Sequence, residues 1–295
     1  MNKKIKLLFI INPVSGIGKK EVLPKMIDGS INHEKFAYAI QYTKHKKHGA
    51  TIAAEEKNMY DAIVAIGGDG TVSEIGASLR QSNCALGIIP VGSGNGIARH
   101  LKIPRNIKKA IERINAFKIE TIDTGLCNDI PFIGVCGFGF DAHIAEAFEK
   151  YHKRGLRSYA KLITQYYQKY KSPTFTISGE QFSIEKQSLL ACISNSSEYG
   201  NGFAISPYSE MQDGQFELIL IDKFKIWSVP IMLSRFFTKK IDRSKHHTAI
   251  NFHNSIRLKV NGKTPLSFHI DGEPMKSDSS EFKISVQPKT LRVLV

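Results

Sequence analysis

The chain is poor in cysteine and tryptophan, short of acidic residues and without a long apolar run. Its four cysteines, Cys84, Cys127, Cys136 and Cys192, are scattered with no C-x-x-C pair. That spacing argues against a zinc ribbon or a disulfide framework and suits a reducing cytoplasm. The apolar run Leu7 to Ile11 meets Asn12 and Pro13 too early for a signal-peptide core. No segment approaches the roughly 18 to 20 apolar residues of a spanning helix, so membrane contact is expected to be peripheral. Against 27 Asp and Glu stand 41 Lys and Arg, a net charge of +14. Such a field attracts nucleic acid, anionic membrane or phosphorylated substrates without choosing among them. No nucleic-acid recognition motif accompanies it, so nucleic acid is not the expected partner.

What is present is ordinary globular material, 42% hydrophobic and 23% charged over 295 residues, enough for two cores of usual size. Up to about residue 124, short apolar runs alternate with amphipathic stretches. Strands are expected at Lys6 to Ile11, Phe36 to Tyr42, Ala62 to Ile66 and Ala85 to Ile89. Helices are expected at Lys19 to Ile27, Ala50 to Glu56, Thr71 to Leu79, Gly96 to Leu101 and Ile107 to Phe117. This is βαβ patterning, and continuous Ile, Val and Ala runs suit a parallel sheet covered on both faces.

From residue 125 to 295 the pattern turns to alternating strands: Pro131 to Gly137, Thr174 to Ile184, Ser188 to Asn195, Phe216 to Asp222, Ile256 to Val260, Ser267 to Ile270 and Phe282 to Val286. Helices at Ala142 to Lys171 and Ile226 to Lys240 interrupt them. The expected fold class is therefore α/β + β, an α/β domain (1–124) followed by a β-rich domain (125–295), with the active site in a cleft.

Three glycine-rich turns follow strands of the first domain: Asn12-Pro13-Val14-Ser15-Gly16, Gly67-Gly68-Asp69-Gly70-Thr71 and Gly92-Ser93-Gly94-Asn95-Gly96. In open α/β sheets such turns put helix N-terminal amides at the carboxyl ends of strands, where anions bind. A single one would be explained by the need for positive φ. The third is G-x-G-x-G, which misses the dinucleotide fingerprint. Gly18-Lys19 resembles the end of a Walker A loop, but Pro13 and Lys20 occupy positions that such a loop gives to glycine and to Ser or Thr.

These turns, together with Gly137-Phe138-Gly139-Phe140-Asp141-Ala142, Asp213-Gly214 and Asp271-Gly272-Glu273, resemble the diacylglycerol kinase and sphingosine kinase family of bacterial lipid kinases over nearly the whole chain. The resemblance implies a three-layer α/β nucleotide-binding domain followed by a β-rich sandwich domain, with ATP as phosphate donor, Mg2+ and a lipid acceptor such as diacylglycerol. It implies a nucleotide site of Asn12, Pro13, Val14, Ser15, Gly16, Thr43, Gly67, Gly68, Asp69, Gly70, Thr71, Val72, Ser73 and Ser93. Thr71 and Ser73 are read as opening a helix whose amides and hydroxyls meet the phosphates. Asp69 is associated with the transfer centre through magnesium or a proton, and the alternative for it is a helix N-cap. Glu273 is implied as general base, although Asp-Gly by itself commonly makes a hairpin turn. Asp213, with Glu210 and Gln215 acting largely through main-chain oxygens, resembles a structural magnesium loop; a plain turn is the alternative.

One departure bears on the acceptor, because many relatives have aspartate where Gly96 follows Asn95. An NAD kinase shares the Gly-Gly-Asp-Gly-Thr turn and is the rival enzyme reading; a nucleotide-binding regulator without catalysis is the other rival. Two basic and aromatic segments could meet anionic membrane. Docking is assigned to Lys150 to Lys171, with its five tyrosines, and for Lys225 to Lys240 packing against the domain is preferred. A cytoplasmic, peripherally membrane-associated protein is expected, and a homodimer is allowed.

Overall fold

The computed structural model describes residues 3–15, 22–151, 156–200, 202–262 and 264–295. The chain forms two compact units, one of residues 1–123 with 289–295 and one of residues 124–288. The first contains β1 (Ile5–Ile11), α1 (Val22–Asp28), β2 (Phe36–Tyr42), α2 (His48–Glu56), β3 (Ala62–Gly67), α3 (Asp69–Leu79), β4 (Ala85–Pro90), α4 (Gly96–His100) and α5 (Ile107–Ala116). The strands pair in parallel in the order β2-β1-β3-β4. Leu7 to Ile11 and Ala62 to Ile66 are wholly buried, as a sheet covered on both faces requires. Register decides where the loops emerge. Ile11 lies beside Tyr42 and Ile66, and Gly67 beside Pro90. The chain therefore leaves all four strands along one edge, at Asn12, Thr43, Gly68 and Val91.

β5 (Ile119–Cys127) leads into the second unit, which holds β6 (Ile130–Phe132), β7 (Val135–Gly139), α6 (Phe140–Glu149) and α7 (Leu156–Tyr167). Then follow β8 (Thr174–Ser178), β9 (Ser183–Gln187), β10 (Leu190–Ser194), β11 (Glu198–Gly200), β12 (Phe203–Ala204), β13 (Phe216–Ile221) and α8 (Val229–Phe237). The series ends with β14 (His247–Phe252), β15 (Ser255–Asn261), β16 (Leu266–Ile270), β17 (Glu273–Ser277) and β18 (Glu281–Leu294). One antiparallel sheet runs β14-β13-β10-β7-β16-β17, while β15 pairs with β8 and with the start of β18. Inward residues of these strands meet in a phenylalanine-rich core that includes Phe138, Phe175, Phe216, Phe268 and Phe282. β15 buries every second residue, the period of a half-exposed strand.

Several expected elements are divided or shifted. The expected strand Pro131 to Gly137 is β6 and β7, broken where the amides of Ile133, Gly134 and Val135 all turn to the Asp271 carboxylate. Thr174 to Ile184 folds back as the hairpin β8–β9, closed by the Gly179 amide on the Phe182 carbonyl. The helix expected over Ala142 to Lys171 is two, and α3 starts at Asp69 rather than Thr71. β5 was not anticipated, because buried Asp123 and Thr124 break its apolar run. β18 begins in the second unit and ends in the first, where Val293 is in register with Leu86 of β4. Residues 289–295 thus belong with the first unit, whereas a division read from composition at 124 assigns them to the second.

Candidate active site

Three of the four loops at the carboxyl edge of β1 to β4 are tied to one another by side chains. Asn12 is one hub: its amide donates to the Ile66 carbonyl (3.0 Å), its Oδ1 accepts from the Val14 amide (3.0 Å), and its Nδ2 donates to Thr71 Oγ1 (2.9 Å). Ser15 closes the same turn with its hydroxyl on the Asn12 carbonyl at 3.0 Å. Val14 stands exposed, and Gly16 lies outside the described residues. Thr43 is buried beside Ile11, whose carbonyl takes its amide at 2.9 Å.

Asp69 is the second hub. It is the first residue of α3, one past the N-cap position Gly68. Its two oxygens accept from the amides of Asn95 (2.7 Å) and Gly96 (2.6 Å), at the start of α4. The expected alternative was a cap on its own helix; the carboxylate caps the start of the next one. A carboxylate there satisfies helix-end amides and suits the positive end of the helix. It also fixes the second turn to the third.

The glycines divide by what surrounds them. A Cβ on Gly92 would stand 2.5 Å from the Gly68 Cα, so these two glycines let the turns touch backbone to backbone. Among the described residues a Cβ on Gly70 would meet nothing within 4 Å. Packing therefore requires glycine at 92, and at 67, where a Cβ would collide with the Thr71 side chain, and does not require it at 68 or 70. Thr71 and Val72 are buried, the amide of Val72 is spent on the Gly68 carbonyl (3.1 Å), and the Thr71 hydroxyl is engaged by Asn12. Ser73 lies half-buried in the next turn of α3, and Ser93 is exposed. Asn95 was not singled out from sequence. It is buried in the left-handed region at φ 56° and donates from Nδ2 to the Gly92 carbonyl at 2.7 Å. Asparagine tolerates that conformation better than other non-glycine residues, which is the signal its place among glycines offered.

In the second unit, Asp271 and Gly272 form the β16–β17 turn with φ 48° and 83°, and Ile270 pairs with Glu273. Two positive φ values are the signature of a tight hairpin, so the turn reading of Asp-Gly holds. Asp271 is committed to three amides, from Ile133, Gly134 and Val135, at 2.8 to 3.0 Å. Glu273 follows, half-buried at the start of β17.

Beneath this turn lies a buried group that sequence reading missed. His269 Nε2 is 3.1 Å from Asp141 Oδ2, Tyr199 donates its hydroxyl to the same oxygen at 2.7 Å, and the Gly272 amide donates to His269 Nδ1 at 3.3 Å. With Nδ1 accepting, the ring carries its proton on Nε2 and donates it to Asp141. Burial and the Asp141 charge push the Tyr199 phenol up, so it stays a donor. A side chain at Gly137 would collide with both His269 and Asp141, which accounts for the glycine there. The readable signal was a histidine between Phe268 and Ile270 on the strand Leu266–Ile270.

The Glu210 to Gln215 loop precedes β13. Asp213 Oδ1 accepts the Gln215 amide at 2.9 Å, forming a local turn. Just beyond, the Glu217 carboxyl is pushed up to about 7 from the ordinary 4.5, by burial first and also by the charges of Asp213 and Glu210, with the Ser209 hydroxyl opposing. Among the described residues no three His, Cys, Asp or Glu side chains converge as a metal centre. The oxygen-only, negatively charged loop fits a hard cation held by Asp213 and main-chain oxygens.

Because Glu217 keeps its proton longer when folded, its contribution to stability is full below about pH 4.5 and is lost as pH rises through about 7. Glu217→Gln is expected to flatten that part of the stability curve and to add about 1–2 kcal/mol above pH 7. Urea denaturation across the range checks it.

A parallel α/β unit with glycine-rich turns at one strand edge, and a chain that continues into antiparallel sheets, define a two-part α/β plus β architecture. Residues 6–127 match the family described as Diacylglycerol kinase catalytic domain, and residues 134–295 match the YegS C-terminal NAD kinase beta sandwich-like domain. The chain belongs to the diacylglycerol kinase family that joins these two parts. A diacylglycerol kinase of Staphylococcus aureus (strain MRSA252) is 25% identical over 280 residues, spanning 92% of this chain and 87% of that protein. An uncharacterised protein of Synechocystis sp. is 26% identical, over 96% of this chain and 69% of its own length. The crystal structure of a diacylglycerol kinase from Bacillus anthracis str. Sterne superposes with a TM-score of 0.74 at 19% identity, covering 100% of this chain and 98% of the other. That likeness carries the fold.

Proposed function

We propose that the chain is an ATP-dependent lipid kinase that transfers the γ-phosphate to a hydroxyl of diacylglycerol or a related lipid. The observation that carries the donor site is Gly70. It is the second residue of α3, at an edge where four strands release their loops, and among the described residues no neighbouring atom requires it to lack a side chain. A backbone amide there lets a phosphate oxygen approach as no other residue would. Gly67, Gly68, Asn12 and Asn95 build the walls of that site, and exposed Lys44, Lys46 and Lys47 after Thr43 add positive field along the same edge.

Magnesium is the cation such a transfer needs to offset charge on the phosphates. Asp69 is the carboxylate at this edge suited to draw a cation towards them. Glu273 is assigned the acceptor's proton, and the hairpin beneath it is held by Asp271 and by the His269–Asp141 pair.

Transfer of labelled γ-phosphate from ATP to a total lipid extract, with the product identified, tests the reading. Label on NAD with none on lipid would move the assignment to the NAD kinase reaction. A sharper test separates ligand from fold. Gly70→Ala is expected to leave thermal stability equal or raised by about 0.5–1 kcal/mol, since alanine suits a helix better than glycine. The same variant should raise the KM for ATP about tenfold, a loss of about 1.4 kcal/mol. An unchanged KM removes phosphate from this turn. Gly92→Ala, by contrast, should disturb the fold itself.

A further inference from the structure

Trp227 is the only tryptophan of the chain, and it is 70% exposed. It lies in the 3-10 turn Ile226–Ser228 that runs directly into α8. Ile231, one helical turn on, is 60% exposed, and Phe237 at the end of the helix is 42% exposed. The core side of the same helix is supplied by Val229, Met232 and Phe236. α8 is therefore apolar on two sides, and only one of them is covered by its own unit. Single exposed apolar residues are ordinary on a protein surface, but a tryptophan and an isoleucine at i, i+4 form a contiguous face.

The surroundings say what covers it. Between Lys223 and Lys245 stand seven basic residues and one acid, Asp242. Lys225 Nζ sits 5.2 Å from the centre of the Trp227 ring. Lys239 pairs with Glu198 at 3.0 Å, while Lys225, Lys240, Arg243 and Lys245 are exposed. A second copy of the chain would bring the same positive charge against itself. Nucleic acid would use the cations and leave Ile231 and Phe237 in water. A bilayer with anionic headgroups takes both halves, since tryptophan favours the headgroup boundary and lysines favour lipid phosphates.

We propose that α8 and the turn before it form a membrane-docking face, with Trp227, Ile231 and Phe237 seated at the headgroup boundary of a bilayer containing anionic lipid. The expectation from sequence had favoured Lys150 to Lys171. Four of the five tyrosines in that segment are committed elsewhere: Tyr167 is core, and Tyr151, Tyr166 and Tyr170 pack around Phe140 and its neighbours. Lys153 and Arg154 of that segment lie outside the described residues. The docking face deepens the lipid-acceptor reading by naming where the enzyme meets its substrate's phase, yet none of its residues belongs to the phosphate or proton machinery.

The lone tryptophan makes the test direct. The full chain is mixed with phosphatidylcholine vesicles with and without phosphatidylglycerol, and Trp227 emission and co-sedimentation are read together. Emission should shift to shorter wavelength only with the anionic vesicles, and salt should reverse the shift. The double variant Trp227→Ser with Ile231→Ser should partition at least about tenfold less, while phosphorylating acceptor dispersed in detergent micelles at the wild-type rate. Unshifted emission, or undiminished binding by the variant, overturns the proposal. So does concentration-dependent self-association abolished by the same two substitutions, which would make the face a contact between copies. Docking without any micellar kinase activity would sink the lipid-kinase reading and leave the docking face standing.

Discussion

Asp69→Asn is expected to lower the rate of phosphoryl transfer at least a hundredfold in a chain that still folds. The carboxylate spans two turns, accepting from the Asn95 and Gly96 amides at 2.7 and 2.6 Å. An asparagine can present one oxygen to one of these amides and must turn an NH2 group against the other. One charge-assisted bond is lost and one donor left facing a donor, a cost of about 1–3 kcal/mol in stability. That cost, read by urea denaturation, reports the structural role alone. The rate adds the catalytic one, since neutral asparagine attracts neither magnesium nor a proton as the carboxylate does. Full activity in a folded Asp69→Asn enzyme would falsify the assignment. A rate loss partly offset by raised magnesium would point to cation binding, and one that magnesium leaves untouched to the tie between turns.

Glu273→Gln is expected to cost on the order of 10²- to 10⁴-fold in kcat with little change in stability, the range that positioned general bases contribute. Glutamine is isosteric and keeps the Ile270–Glu273 pair of the hairpin. The neighbouring acid behaves oppositely. Asp271→Ala strips the common acceptor from three amides of the β6–β7 connection, and is expected to cost about 2–4 kcal/mol in stability. Two carboxylates separated by one glycine are thereby told apart, one by kinetics and the other by denaturation. Wild-type kcat in a folded Glu273→Gln chain would move the base elsewhere.

The first unit was legible because its signals are local. Its parallel strands are short runs rich in Ile, Val, Leu and Ala, and β3 and β4 pass into glycine turns where the structure ends them. Ties between turns were not legible. Asp69 reaches Asn95 and Gly96 across 26 and 27 residues, and no pattern within one turn predicts that reach. β5 escaped notice because its buried polar residues are satisfied at a distance, as when Asp123 accepts the amide of Lys289. His269 escaped for the same reason, since its partners Asp141 and Tyr199 lie in distant parts of the chain. In the basic segments composition does not discriminate. Aromatic residues beside lysines look alike in sequence whether the ring faces a core, as Tyr167 does, or water, as Trp227 does.

The last strand has a consequence for synthesis. The edge of β4 is closed by residues 289–295, where Val293 lies in register with Leu86 and the amide of Gln81 bonds to the Thr290 carbonyl. A growing chain can assemble β1 to β4 early, but β4 must wait through the translation of the entire second unit before its neighbour exists. During that interval its open edge offers pairing to any strand nearby. A ribosome stalled before residue 289, or a protease that trims the final few residues, would leave the nucleotide-binding unit in that unfinished state although every one of its glycine turns had been made.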